Sequence, residues 1–109
     1  MSAFRLCISY GLVALSLLST GIAIAEDVMA EGKKIFNQKA EPKCAMCHSL
    51  KHADSYAEGG PDLDELKPDA ARVEKAVRNG IGEMPVITGL TDAEIKLVAR
   101  YLAEVAGKK

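Results

Sequence analysis

Apolar residues recur at helical spacing in three stretches of the chain, and no segment shows the two-residue alternation of a half-buried strand. The first stretch predicts a helix from about Asp27 to Asn37, with Val28, Gly32, Ile35 and Phe36 on one face. A glycine inside a helix costs about 1 kcal/mol relative to alanine, so Gly32 points to another helix crossing closely there. The second runs from about Asp69 to Asn79, preceded by Pro68, closed by Gly80 and striped by Val73, Ala76 and Val77. The third begins at Thr91, which forms a capping box with Glu94, flanked by Leu90 and Ile95 at the staple positions. Ile95, Val98, Leu102 and Val105 then repeat at helical spacing until Gly107 ends the helix. Between the helices lie two glycine-containing loops, residues 49–62 and 80–90. The pattern is that of one all-α domain, without repeats or low-complexity tracts.

A different pattern occupies residues 1–25. Arg5 precedes a mostly apolar run from Leu6 to Ile24, which ends in Ala23-Ile24-Ala25 before Glu26. A basic start, an apolar middle and an Ala-x-Ala end predict a secretory signal peptide, leaving residues 26–109 as the exported domain. The alternative is an uncleaved membrane anchor facing the periplasm, since the apolar run is long for a leader. Ser9, Gly11, Ser16, Ser19, Thr20 and Gly21 interrupt that run and favour cleavage.

Composition adds a constraint. The chain has 109 residues and a formal net charge of −1, so it carries no basic footprint for nucleic acid. After Ala25 there is no Trp, and the only aromatics are Phe36, Tyr56 and Tyr101. A domain this small has a marginal core and often needs a staple. A large apolar cofactor at its centre would meet that need.

Cysteine usage names a candidate. Cys7 falls in the leader, and the other two stand in Cys44-Ala45-Met46-Cys47-His48. Two thiols separated by two residues can add across the two vinyl groups of one haem, with the following imidazole directed at the iron; Cys-x-x-Cys-His is the attachment motif for c-type haem. The exported context suits this, because attachment happens outside the cytoplasm. A thioredoxin-like pair needs a βαβ setting that the chain lacks. A zinc site from Cys44, Cys47, His48 and His52 would strain two adjacent ligands onto one tetrahedral metal.

The iron needs a sixth ligand or a vacancy. Met46 sits inside the attachment loop, Met29 on the first helix, and His52 one turn beyond His48. Met84 stands in the glycine-rich loop before Pro85, which biases it toward an extended backbone able to cross to the distal face. The alternative for Met84 is simple core packing. His48 with Met84 would raise the reduction potential relative to two imidazoles and leave no open position.

Together these residues resemble the class I cytochrome c family over nearly all of residues 28–106. The order of parts is similar: a first helix with Gly32 and Phe36, the haem motif, Gly60-Pro61-Asp62-Leu63, Gly82-Glu83-Met84-Pro85, and a last helix with Tyr101-Leu102. The resemblance implies a small cytochrome c fold, three main helices and loops wrapped around one haem c held by two thioether bonds. It also implies that the Pro61 carbonyl meets the second imidazole nitrogen of His48, and that the first and last helices cross near Gly32, Phe36 and Tyr101. The Trp often found near the haem propionates is missing here, which leaves the propionate contacts unassigned.

The expected function is electron transfer in the periplasm, between a donor and an acceptor such as a dehydrogenase and an oxidase or reductase, with no catalytic residues. Two alternatives are a dedicated haem subunit of a larger oxidoreductase and a gas-binding haem sensor with an open distal face. Lys33, Lys34, Lys39, Lys43 and Lys51 cluster around the motif, and residues 54–69 are rich in acid. The expectation is that these lysines ring the haem edge and steer an acidic redox partner.

Overall fold

The computed structural model describes Gly11 and residues 20–108. Most of the predicted leader therefore lies outside the described residues. Its last part, Thr20–Ala25, belongs to the first helix, α1 (Thr20–Lys34). This helix starts earlier than its apolar face suggested, because the alanine-rich, proline-free stretch before Asp27 has nothing to stop a helix. At its other end α1 widens into a π-helical turn, Ile35–Lys39, closed by a 3.1 Å bond from the Ala40 amide to the Ile35 carbonyl. The widened turn buries both Ile35 and Phe36.

Three elements follow that helical periodicity did not reveal. Strands β1 (Ser49–Leu50) and β2 (Ser55–Tyr56) pair antiparallel, Ser49 opposite Tyr56 and Leu50 opposite Ser55. The hairpin turns through Lys51–Ala53, and Asp54 adopts a left-handed conformation at φ 53°. Next comes a single turn, α2 (Leu63–Leu66), capped by the Asp62 carboxylate. Two-residue strands are too short to alternate, and one turn is too short to repeat. The fold is helix-rich with a small two-stranded sheet, roughly consistent with the all-α expectation.

The other two long helices form where the sequence placed them. Helix α3 (Ala70–Asn79) has Asp69 at its N-cap, accepting from the Arg72 amide at 2.8 Å, and Gly80 at its end with φ 71°. Helix α4 (Asp92–Val105) starts with the expected capping box: the Glu94 amide donates to Thr91 Oγ1 and the Thr91 amide to Glu94 Oε1, each at 3.1 Å. Gly107, at φ 76°, turns the chain away and donates its amide to Asp64 Oδ1. Among the described residues no helix is long and apolar enough to cross a membrane.

Helix α4 packs on both α1 and α3. Its key contact is Tyr101, which packs closely against Gly32. A Cβ at Gly32 would sit 2.3 Å from Cβ and Cγ of Tyr101, and Tyr101 and Phe36 are fully buried at the crossing. Tyr101 is also joined to His52 Nδ1 by a 2.7 Å hydrogen bond, which ties the β-hairpin to the crossing. Gly32→Ala is expected to lower the unfolding free energy of the haem-loaded protein by about 3 kcal/mol through overpacking, far beyond the ~1 kcal/mol gain in helix propensity; denaturant titration measures this.

Lys39 and Glu94 form an ion pair at 2.5 Å that joins the π turn to α4. The Lys39 hydrogen bond holds the Glu94 carboxyl below the usual carboxylate range, and Glu94 in turn raises Lys39. The lowered Glu94 contributes stability that is present above the unfolded carboxylate pKa of about 4.3 and lost as pH falls through its folded value. The raised Lys39 contributes stability lost only as pH climbs past the usual lysine range. Glu94→Gln keeps the capping box but not the pair. Its melting temperature should therefore lie below that of the parent at neutral pH, with the gap closing in acid.

Candidate haem-binding site

A cavity of about 890 Å³ opens between the Cys44–His48 turn, the loop after β2, helix α3 and the 80–87 loop. Its size falls in the roughly 300–1,000 Å³ range of cofactor pockets. Phe36, Leu63, Val73, Val77, Ile87 and Leu102 give it apolar walls. Of the described Cys, His and Met residues, only Cys44, Cys47, His48 and Met84 line it.

The attachment motif is held by its own backbone. Residues Cys44–Met46 make a 3₁₀ turn, and both the Cys47 and His48 amides donate to the Cys44 carbonyl, at 3.2 and 2.9 Å. Ser55, the one buried polar side chain among the described residues, braces this turn from the hairpin. Its hydroxyl donates to the His48 carbonyl at 2.7 Å and lies 3.1 Å from that of Ala45. Both cysteines are free thiols. Burial pushes the Cys44 thiol up to about 11, so it stays as S–H. A redox-active Cys pair has the opposite tuning, toward thiolate.

The His48 ring is fixed by the next loop. Its Nδ1 lies 2.8 Å from the Pro61 carbonyl. A carbonyl can only accept, so Nδ1 carries the proton and Nε2 keeps its lone pair for a metal. Gly60 makes this approach possible: a Cβ there would lie 2.9 Å from His48 Cε1 and 3.1 Å from Nδ1. The Gly60 amide also donates to the Cys47 carbonyl at 2.6 Å.

Met84 is clamped by a backbone turn. The Ile81 and Met84 amides each donate to the other's carbonyl, at 3.0 and 2.9 Å, around Gly82 with φ 55°. Gly80 lies so close that a Cβ would meet the Met84 carbonyl at 2.8 Å. Met46 is exposed, Met29 packs against the core, and His52 is engaged with Tyr101. The zinc set of Cys44, Cys47, His48 and His52 does not assemble, and no other three metal-ligating side chains come together among the described residues.

The lysine cluster is rearranged relative to expectation. Lys33 pairs with Asp54 at 3.0 Å and Lys39 with Glu94. Of the five lysines only Lys43 lines the cavity, while its other cations, Arg72 and Lys75, come from α3. Sequence proximity to the motif missed these two; the signal was their spacing with Ala76 on one helix face.

Two thiols, a metal-ready imidazole and a thioether around an apolar-walled cavity fit a covalent haem, and this arrangement defines a c-type cytochrome domain. A family model described as cytochrome c oxidase, cbb3-type, subunit III, matches residues 27–102, so the chain belongs to that family of small class I c-type cytochromes. Such a domain carries covalently bound haem c and exchanges electrons with redox partners. Among solved structures, the chain is similar to the c-type cytochrome SorU from Sinorhizobium meliloti, with 57% identity over 76% of this chain and 95% of that one, and a TM-score of 0.73. No curated protein matches.

The glycines at the mouth separate by contact distance. Gly60→Ala should lower the stability of the haem-loaded protein by about 2 kcal/mol. Gly59→Ala, whose Cβ would meet Cys47 at ordinary distances of 3.6 Å and more, should stay within about 0.5 kcal/mol of the parent. Parallel denaturant titrations measure both.

Proposed function

We propose that the chain is a periplasmic monohaem electron carrier, exported by residues 1–25 and functional as residues 26–109. The observation that carries this reading is the cavity lined by Cys44, Cys47, His48 and Met84, with His48 Nδ1 bonded to Pro61 and Nε2 therefore free. Cys44 and Cys47 would hold one haem through two thioether bonds, and His48 Nε2 and Met84 Sδ would be its axial ligands. When bound, the haem supplies a one-electron couple.

The chain's own residues do the rest. The Pro61 carbonyl orients the imidazole and fixes its tautomer. The Ile81–Met84 turn presents a soft thioether, which favours the reduced state. With His48 and Met84 holding the iron, the haem would leave no open position for a substrate, which supports reading the protein as an electron carrier. The apolar walls exclude water.

A second reading is a dedicated haem subunit of a larger oxidoreductase, favoured by the family description as an oxidase subunit. Co-purification at fixed stoichiometry separates it from a diffusible carrier. The carrier reading itself is tested by the alkaline pyridine spectrum, expected to report one haem with both vinyl groups saturated. Met84→Ala should abolish the methionine-to-iron absorption band of the oxidised protein and allow carbon monoxide to bind. A parent protein that lacks the band and binds carbon monoxide readily would instead be the gas-binding sensor.

A further inference from the structure

A carbonyl screened from water needs a donor, and the carbonyls of the attachment turn find theirs unevenly. That of Lys43 accepts the Met46 amide, that of Cys44 the Cys47 and His48 amides, and that of Cys47 the Gly60 amide. Among the described residues no backbone amide reaches the carbonyl of Ala45 or of His48. Both instead face one side chain from outside the motif. The Ser55 hydroxyl lies 2.7 Å from the His48 carbonyl and 3.1 Å from that of Ala45. A hydroxyl has a single proton, so it serves one of the two oxygens at a time. Ser55 is only 6% exposed. Packing alone does not require its oxygen, since alanine would fill nearly the same space.

The hairpin offers this hydroxyl from a fixed place. Three consecutive residues ahead of Ser55 are each held by a different neighbour. His52 Nδ1 lies 2.7 Å from the Tyr101 hydroxyl, the Ala53 carbonyl accepts from Asn37 Nδ2 at 3.0 Å, and Asp54 pairs with Lys33 at 3.0 Å. The Ser55 carbonyl in turn accepts from Ser49 Oγ at 3.3 Å. The donor therefore belongs to a segment tied to α1, its π turn and α4, not to the motif it serves.

For His48 the consequence is a third anchor. Its amide donates to the Cys44 carbonyl at 2.9 Å, its ring Nδ1 to the Pro61 carbonyl at 2.8 Å, and its own carbonyl accepts from Ser55. The amide and the carbonyl lie on either side of the Cα that carries the imidazole, so the backbone there cannot turn without breaking one of these bonds. We propose that Ser55 is a positioning residue for the axial imidazole, its hydroxyl fixing the plane in which His48 presents Nε2 to the iron. This inference rests on the haem reading. The plane of an axial imidazole decides which iron d orbitals it overlaps, and with them the spread of unpaired spin over the ferric haem and the reduction potential.

Proton NMR of the ferric, haem-loaded protein tests this, because the paramagnetically shifted haem methyl resonances report that plane; the midpoint potential is measured on the same samples. Ser55→Ala should displace the methyl resonances and the potential from those of the parent, and Ser55→Thr, which keeps a hydroxyl, should retain both. Thr91→Ala, which uncaps α4 away from the cavity and lowers stability, should leave both unchanged. Should Ser55→Ala fail to accumulate, Ser55→Val replaces it: valine and threonine share a shape and differ by the hydroxyl, so Ser55→Val should be displaced from Ser55→Thr. Resonances and potential of Ser55→Ala that overlay the parent, or equal displacements in Thr91→Ala, would overturn the proposal. The pyridine spectrum taken on each sample keeps the two readings apart. A parent without covalent haem refutes the haem site itself, whereas intact haem with overlaying spectra refutes only the role of Ser55.

Discussion

The close approach of α1 and α4 at Gly32 and Tyr101 is the contact on which the rest of the structure depends. With no side chain at Gly32, the Tyr101 ring can lie on the α1 backbone and bury itself completely beside Phe36. The glycine's propensity loss of about 1 kcal/mol is small against the burial of a large aromatic ring. The crossing fixes where α1 ends, and the chain enters the attachment motif within ten residues of that end. The bond from Tyr101 to His52 then anchors the hairpin on the far side of the motif. One helix crossing thereby holds both flanks of the Cys44–His48 turn.

Around that frame, the loops are held by polar groups rather than by a large core. Ser55 secures the motif turn from behind, and Pro61 holds the imidazole from the side. Asp64 accepts amides from Lys51 and Gly107, linking the end of β1 to the end of α4. Such bonds suit a chain with few aromatics, because backbone and carboxylate contacts can position loops that little apolar surface is available to pack. They also leave the cavity walls to the apolar residues of α3 and α4.

Charge is distributed by the same logic. Ion pairs such as Lys33–Asp54 and Lys39–Glu94 are exposed and connect one element to another, each contributing little to stability but adding to register. Among the described residues, Lys43, Arg72 and Lys75 at the cavity make no ion pair. The similarity to a c-type cytochrome at 57% identity is consistent with a cavity built for that cofactor.

The local signals were strong enough to be read without tertiary information. Helix starts at Asp69 and Thr91 depend on side chains hydrogen-bonding amides two or three residues away, and the haem motif is chemistry held within five consecutive residues. The crossing at Gly32 was legible too, because a mid-helix glycine has a cost that only a close neighbour explains. Other features depended on residues distant in sequence. The two-residue strands exist because Ser55 meets the motif turn, and Lys33 and Lys39 left the expected basic ring because Asp54 and Glu94 lie within reach in space. The proton on His48 Nδ1 follows from a carbonyl thirteen residues away. By itself the sequence determined the three long helices, the Cys-x-x-Cys-His motif and the class of cofactor, since propensity, capping and thiol spacing act along the chain. Only the tertiary structure decided which donors share the cavity and which cations face it, because those are matters of distance across the fold.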